Sequence, residues 1–345
     1  MTSANASTFV YVGSSDSQDV TVFNLLADGG LIPTETIAVP GPGKPGGSLP
    51  MAISPDKKWL FAAVRNGPYS LVTFAIDAQS GKLTLVGSGP LADSMCYITT
   101  DRGGRFILAA SYGGNKITLS PLNADGVVAD TQQIVETQPN AHCVIVDPSN
   151  RFVLNTSLGG DVVHQHKFDA STGILAPNDP ATIAVKAKAG PRHLIFSPDQ
   201  RFAYLVNELD GTIYVFPYDS TIGVLRKEIQ VASVLPRGFT GTPWAGDIHV
   251  TPNGRFLYAS ERTSSTLAAF TINKTNGVLK AVGSYLTEEQ PRAFAVDPAG
   301  KYVLAAGQLS NSLTVHAIDQ ESGALNKLNE YPVGRNPNWI EIVTL

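Results

Sequence analysis

The chain has 345 residues, 43% of them hydrophobic, enough to bury roughly three quarters of the surface that an unfolded chain of this length exposes. Its formal charge of -4 at pH 7 excludes a general electrostatic grip on nucleic acid or on an anionic membrane, because either needs clustered basic residues to displace counterions. Any anion site must be local, and since no Ser/Gly/Pro-rich or charged linker divides the chain, residues 1–345 are expected to form one domain.

The opening MTSANASTFVYVG has neither a basic leader nor an apolar run of signal-peptide length, and no 18-residue apolar stretch occurs anywhere, so a cytoplasmic location is expected. Cys96 and Cys143 fit that compartment as free thiols.

TFVYVG (8–13) reads as a strand. SPDKKWLFAA (54–63), DRGGRFILAA (101–110), DPSNRFVLNT (147–156), SPDQRFAYLV (197–206), TPNGRFLYAS (251–260) and DPAGKYVLAA (297–306) then repeat one frame: a turn, a cation or its stand-in, an aromatic and alternating apolar residues. The marker aromatics Phe9, Trp59, Phe106, Phe152, Phe202, Phe256 and Tyr302 recur every 46 to 54 residues. A further β-rich run follows each, such as TIYVFPYD (212–219), and then a Gly-x-Leu stretch such as TGILAP (172–177) or NGVLKA (276–281). Four short strands per unit predict propeller blades. PNWIEIV (337–343) matches the first strand PRHLIFS, yet no second strand follows it, and TFVYVG at the other end lacks a first strand. The expectation is an all-β, seven-bladed β-propeller of four-stranded blades, closed by the C-terminal strand joining the N-terminal blade, which removes exposed sheet edges.

Equivalent positions of the blades lie at one height around the axis. Ten residues before each marker stand Leu49, Cys96, His142, Arg192, Gly246 and Arg292, with Asn338 in the closing strand; six residues after it stand Ser15, Arg65, Tyr112, Leu158, Glu208, Arg262 and Gln308. The start of a first strand and the end of its antiparallel neighbour share one end of the blade, so both rings should face one mouth of the central channel. Arg65, Arg192, Arg262 and Arg292 would converge there. Two guanidinium groups about 4 Å apart repel by about 4 kcal/mol at an effective dielectric near 20. The funnel is therefore expected to hold an anion, with Glu208 and Asp247 as counter-charges; the alternative is a structural salt-bridge network.

The segments VYVGSSDSQDVTVFNL, SPDKKWLFAAVR, GPRHLIFSPDQRFAYLVNEL, WAGDIHVTPNGRFLYASERT, EEQPRAFAVDPAGKYVLAAGQ and PVGRNPNW resemble the lactonase-type seven-bladed propeller family, which includes 6-phosphogluconolactonases of the bacterial propeller type. The resemblance covers essentially the whole chain, and PRH with NEL sixteen residues on, then DIH and a later ERT, is a specific combination. The family also includes a fungal carboxymuconate lactonising enzyme whose site resembles a His, two Arg and a Glu placed like His142, Arg192, Glu208 and Arg262. The resemblance implies a hydrolase that opens the lactone of an acidic sugar, either 6-phosphogluconolactone or a related aldonic or aldaric lactone. A carboxymuconate-type cycloisomerase and a non-catalytic, protein-binding propeller are the other readings. Arg335 and Pro243 depart from residues familiar among the phosphogluconolactonases and bear on whether the substrate carries phosphate.

For hydrolysis, Glu208 is expected to draw a proton from water, Arg192 and Arg262 to hold the substrate's anion or the oxyanion, and His142 to donate a proton, with His193 as its substitute. Arg65, His193, Asn207, Asp247, His249, Arg292, Gln308 and Asn338 are the expected substrate-binding residues. No cofactor or metal is expected, because a funnel richer in Arg than in carboxylates suits an anion better than a hard cation. The expected partner is a small anionic sugar lactone, with no nucleic acid or membrane, and the expected state is a monomer or weak homodimer. Among the remaining signals, GPGKPGG (41–47) reads as an inter-strand loop, His164 and His166 as surface histidines, Cys96 as an inert thiol, and Asp56, Asp147, Asp199 and Asp297 as turn carboxylates.

Overall fold

In the computed structural model, which describes residues 6–42 and 46–345, the repeats form seven antiparallel sheets, one per unit. Gly43, Lys44 and Pro45, within the expected inter-strand loop, lie outside the described residues. Pro337–Thr344 pairs along Thr8–Ser14, with Thr344 opposite Thr8, so the two ends of the chain build blade one together and close the ring. The innermost strands touch one another in order around the axis, including Pro291–Val296 against Pro337–Thr344 and the latter against Met51–Ile53. In blade five the outer position is shared by Val224–Leu225 and Gln230–Ser233, both paired with Thr212–Asp219.

Both faces of each sheet press on a neighbour, which is why the second strands are buried almost end to end and present no face to solvent. Every residue of Phe202–Asn207 is buried. Successive side chains of a strand point to opposite faces, so Ala203 and Leu205 pack with Leu154 of blade four while Tyr204 and Val206 pack with Leu257 and Ala259 of blade six.

The marker aromatics are explained by the Gly-x-Leu turns. Each ring lies on the glycine of the next blade's turn; Phe152 faces Gly223, where φ is 71° and an added Cβ would lie 2.0 Å from the ring. Tyr302 of blade seven faces Gly29 of blade one in the same way, so the contact runs full circle. Where the preceding residue is arginine it covers the ring from outside: Arg151 lies 5.1 Å from the Phe152 centroid and Arg255 5.1 Å from that of Phe256. The turn aspartates bond local backbone as expected, with Asp147 Oδ1 accepting from the amides of Arg151 and Phe152 at 3.0 and 2.9 Å.

One sequence expectation fails here. His166 is buried and meets Asn155 Oδ1 at 2.8 Å, and His164 is half-buried, because the third strands are also covered by adjacent blades. Among the described residues, no cluster able to hold a metal occurs there or elsewhere.

Candidate active site

The ring positions on the first strands are irregular. In blade five Pro191 pairs with Asn207 but His193 pairs with Val206, so Arg192 is an extra residue without a partner. The same shift falls at Cys96, at Arg292, at His142 with Cys143, at Gly246 with Asp247, and at Asn338. A bulge of this kind bends the strand and re-aims side chains. In a regular strand Arg192 and His193 would point to opposite faces; here Arg192 Nη1 lies 3.1 Å from His193 Nε2.

Glu208, at the end of blade five's second strand, is the junction of the site. Its Oε2 accepts from Arg192 Nε at 2.8 Å and from Arg262 Nη2 at 2.7 Å. Arg192 Nη1 also donates to the Gly246 carbonyl at 2.7 Å, and Arg262 donates to the carbonyls of Trp244 and Ala245 at 3.1 and 3.0 Å. The Trp244 indole covers the Arg262 guanidinium at 4.0 Å. Both arginine side chains are 1% exposed and that of Glu208 is 14% exposed. Burial pushes the Glu208 carboxyl upward, but Arg192, Arg262 and Arg292 together outweigh it and hold the group below its ordinary value. Burial and the nearby Arg192 push the Arg262 guanidinium well down.

His142 is buried beside this centre, with ring centroids 6.0 Å from Tyr112 and 5.1 Å from His193. Its Nδ1 has no hydrogen-bond partner, and burial followed by the charge of Arg192 drives its pKa well below the usual histidine range. It is a neutral imidazole.

Arg65 and Arg292 stand apart from the Glu208 group. Both are half-buried, and among the described residues neither makes a salt bridge to a carboxylate. Arg65 is held by the hydroxyls of Ser48 at 2.7 Å and Ser94 at 3.3 Å, and burial with the charges of Arg192 and Arg65 lowers Arg292 to about 10. Asn338 accepts from the Leu49 amide at 2.8 Å and donates to Ser15 Oγ at 2.8 Å, tying blade one to blade two, while Gln308 donates to Asn336 Oδ1 at 2.8 Å. Asn207 is fully buried and donates outward to Thr212 Oγ1 at 2.9 Å, away from the channel. Cys96 is buried, and burial raises its thiol pKa.

Below the arginines, Asp247 joins two histidines: Oδ1 meets His193 Nδ1 at 2.7 Å and Oδ2 meets His249 Nε2 at 3.2 Å. Burial works upward on Asp247, yet these partners hold it well below the carboxylate range. Two cavities, of about 330 and 240 Å³, share Tyr97, His193, Asp247 and His249 as walls. Trp339 and Glu341 line the second, and Trp339 Nε1 donates to Glu341 Oε1 at 2.9 Å. Burial raises Glu341 to about 7. Sequence reasoning missed Tyr97, Trp339 and Glu341, although the first two sit one place beyond ring residues, as His193 and Asp247 do.

This closed ring of seven blades with an arginine-rich axis matches the family model described as lactonase, 7-bladed beta-propeller, over residues 9–342. The chain belongs to that family. A 6-phosphogluconolactonase of Pectobacterium carotovorum is 40% identical over 336 residues, covering 97% of this chain and 98% of the relative. One from Yersinia pseudotuberculosis is 41% identical over 333 residues, covering 96% and 97%. Among solved structures, the periplasmic gluconolactonase PpgL of Pseudomonas aeruginosa superimposes with a TM-score of 0.89 at 28% identity, covering 99% of both chains. That neighbour corrects the cytoplasmic expectation: a lactonase-family propeller of this size and shape works in the periplasm, so the features of the fold do not assign this chain to the cytoplasm.

Proposed function

We propose that this lactonase-family chain is a hydrolase that opens the ring of a sugar lactone, with His142, Arg192, Glu208 and Arg262 at the reacting centre. The observation that carries the reading is the pair of buried guanidinium groups on one oxygen of Glu208. Hydrolysis adds water to the lactone carbonyl and expels the ring oxygen as an alcohol. The negative charge that develops on the carbonyl oxygen needs donors fixed in place beforehand, and buried arginines supply them without reorganisation. Glu208 Oε1, which takes no part in either arginine contact, orients the attacking water. Because its carboxyl is held low, Glu208 is a weak base, and it accepts the water proton as the tetrahedral anion forms.

His142, a neutral imidazole, hydrogen-bonds the departing ring oxygen through its N–H and keeps that proton; the proton Glu208 took from water passes to the ring oxygen as the C–O bond breaks, which leaves the alcohol and restores the Glu208 carboxylate. His193 does not substitute for it, since its Nε2 faces an arginine and its Nδ1 an aspartate. Arg65 and Arg292 take the substrate's own anionic group, the phosphate of 6-phosphogluconolactone or the carboxylate of a related aldaric lactone. They are the half-buried cations without carboxylate partners among the described residues, and Arg65 is braced by two hydroxyls. The relatives named 6-phosphogluconolactonase favour the phosphate. The working unit is a monomer or weak homodimer.

Acid release from freshly prepared 6-phosphogluconolactone and from glucono-δ-lactone tests this. Arg65→Met and Arg292→Met should each raise KM about 10-fold or more for the phosphorylated lactone while leaving the neutral one little changed, as loss of a charge-assisted contact predicts. Equal effects on both lactones would remove these arginines from the anion site. No turnover of either lactone by the wild-type protein would overturn the hydrolase reading.

A further inference from the structure

The hydrogen-bond chain beneath Arg192 fixes which proton each group carries. A guanidinium only donates, so His193 Nε2, 3.1 Å from Arg192 Nη1, presents its lone pair. The ring proton then sits on Nδ1 and is donated to Asp247 Oδ1 at 2.7 Å. Asp247 is held in turn by His249 at 3.2 Å, by the neighbouring strand Phe256–Glu261 through Ser260 Oγ, which accepts from the Asp247 amide at 2.8 Å, and by its place in the blade-six bulge. Arg192 Nη1 thus spends both hydrogens, on His193 and on the Gly246 carbonyl, and Nε spends its one on Glu208. Only Nη2 is left for a substrate.

We propose that Asp247 and His193 are positioning residues for Arg192: through a fixed imidazole tautomer they lock the guanidinium so that Nη2 meets the developing oxyanion and Nε keeps Glu208 in line. The proposal deepens the hydrolase reading and rests on it. It also accounts for the bulge at Arg192, without which Arg192 and His193 would lie on opposite faces of the strand. The opposite tautomer would aim an N–H at a guanidinium that has no acceptor, and the arginine would have to move.

Two substitutions separate positioning from packing. In His193→Gln the carboxamide oxygen reaches the place of Nε2 and still accepts from Arg192; in His193→Asn the shorter amide can answer Asp247 but not Arg192. His193→Asn should lower kcat on freshly prepared 6-phosphogluconolactone by about 100-fold with KM within a few-fold, and His193→Gln should lose about tenfold less. A merely structural role would give equal losses, or the milder loss for Asn, and either result overturns the proposal. A second measurement needs no active variant. In the wild-type protein labelled with ¹⁵N-histidine, with His193 assigned by comparison with His193→Gln, the ring should be neutral and protonated at Nδ1 at pH 7. An Nε2-protonated or doubly protonated ring overturns the proposal even if the lactonase reading holds; absence of lactonase activity overturns that reading and leaves the tautomer result to stand alone.

Discussion

Replacing Glu208 by Gln removes one charge and little volume, and the structure sets the cost. The two guanidinium nitrogens bonded to Glu208 Oε2 at 2.8 and 2.7 Å lie no more than about 5.5 Å apart, where at an effective dielectric near 20 they repel by about 3 kcal/mol once the carboxylate is gone. Removing one partner from a buried ion pair typically costs about 3–5 kcal/mol, and both arginine side chains here are 1% exposed. Glu208→Gln should therefore unfold in urea with a free energy lower by about 3–5 kcal/mol at pH 7, a loss within the roughly 5–15 kcal/mol of a typical domain. The Glu208 carboxyl is held below its ordinary value, so its contribution is complete above 4.5 and disappears as pH falls through the lowered folded value. Wild type and variant should converge in acid. Adding Arg192→Met to Glu208→Gln should recover part of the loss. A difference under about 1 kcal/mol at pH 7, or one that does not shrink in acid, would refute the picture of a carboxylate neutralising two buried cations.

Gly223→Ala should cost about 2–4 kcal/mol in the same urea assay, since φ there is 71° and the new methyl would lie 2.0 Å from the Phe152 ring. A neutral result would show that the aromatic–glycine contact does not hold blades four and five together. Glu341 binds its proton more tightly when folded, with a value of about 7 against an ordinary 4.5, so wild-type stability should fall as pH rises from 4.5 to 7 and stay level above. Glu341→Gln should lack that fall and be the more stable protein at pH 8, by up to about 3 kcal/mol; equal stability of the two there would place Glu341 in a wetter site than the channel.

The architecture was legible because a blade writes itself into the sequence twice, as period-2 alternation and as a turn repeated every 46 to 54 residues. The unpaired PNWIEIV was enough to predict the closing strand, and the ring positions were enough to bring Arg192, Glu208 and Arg262 to one place. The bulges were not legible, because an extra residue is defined only against the register of the partner strand. From sequence, Arg192 and His193 are expected together in the funnel without the bulge that lets adjacent residues meet there, and Asn207 is counted as a funnel residue although its amide donates to Thr212 of the third strand. Trp339 and Glu341 were hidden for a related reason: they enter the channel from a strand whose partner lies more than 300 residues away. The direction of the Glu208 shift also lies outside sequence, since it follows from the summed field of three arginines from three blades. The cytoplasmic expectation failed because location is not written in the fold.

With Glu208 and its two arginines at the proposed centre of lactone hydrolysis, turnover depends on that carboxylate. The most direct test follows acid release from freshly prepared 6-phosphogluconolactone with wild-type protein and Glu208→Gln, each confirmed folded. Turnover by the wild type and a fall in kcat of about 10²-fold or more in the variant, with KM changed little, is the predicted result. Near-normal turnover by Glu208→Gln would contradict it.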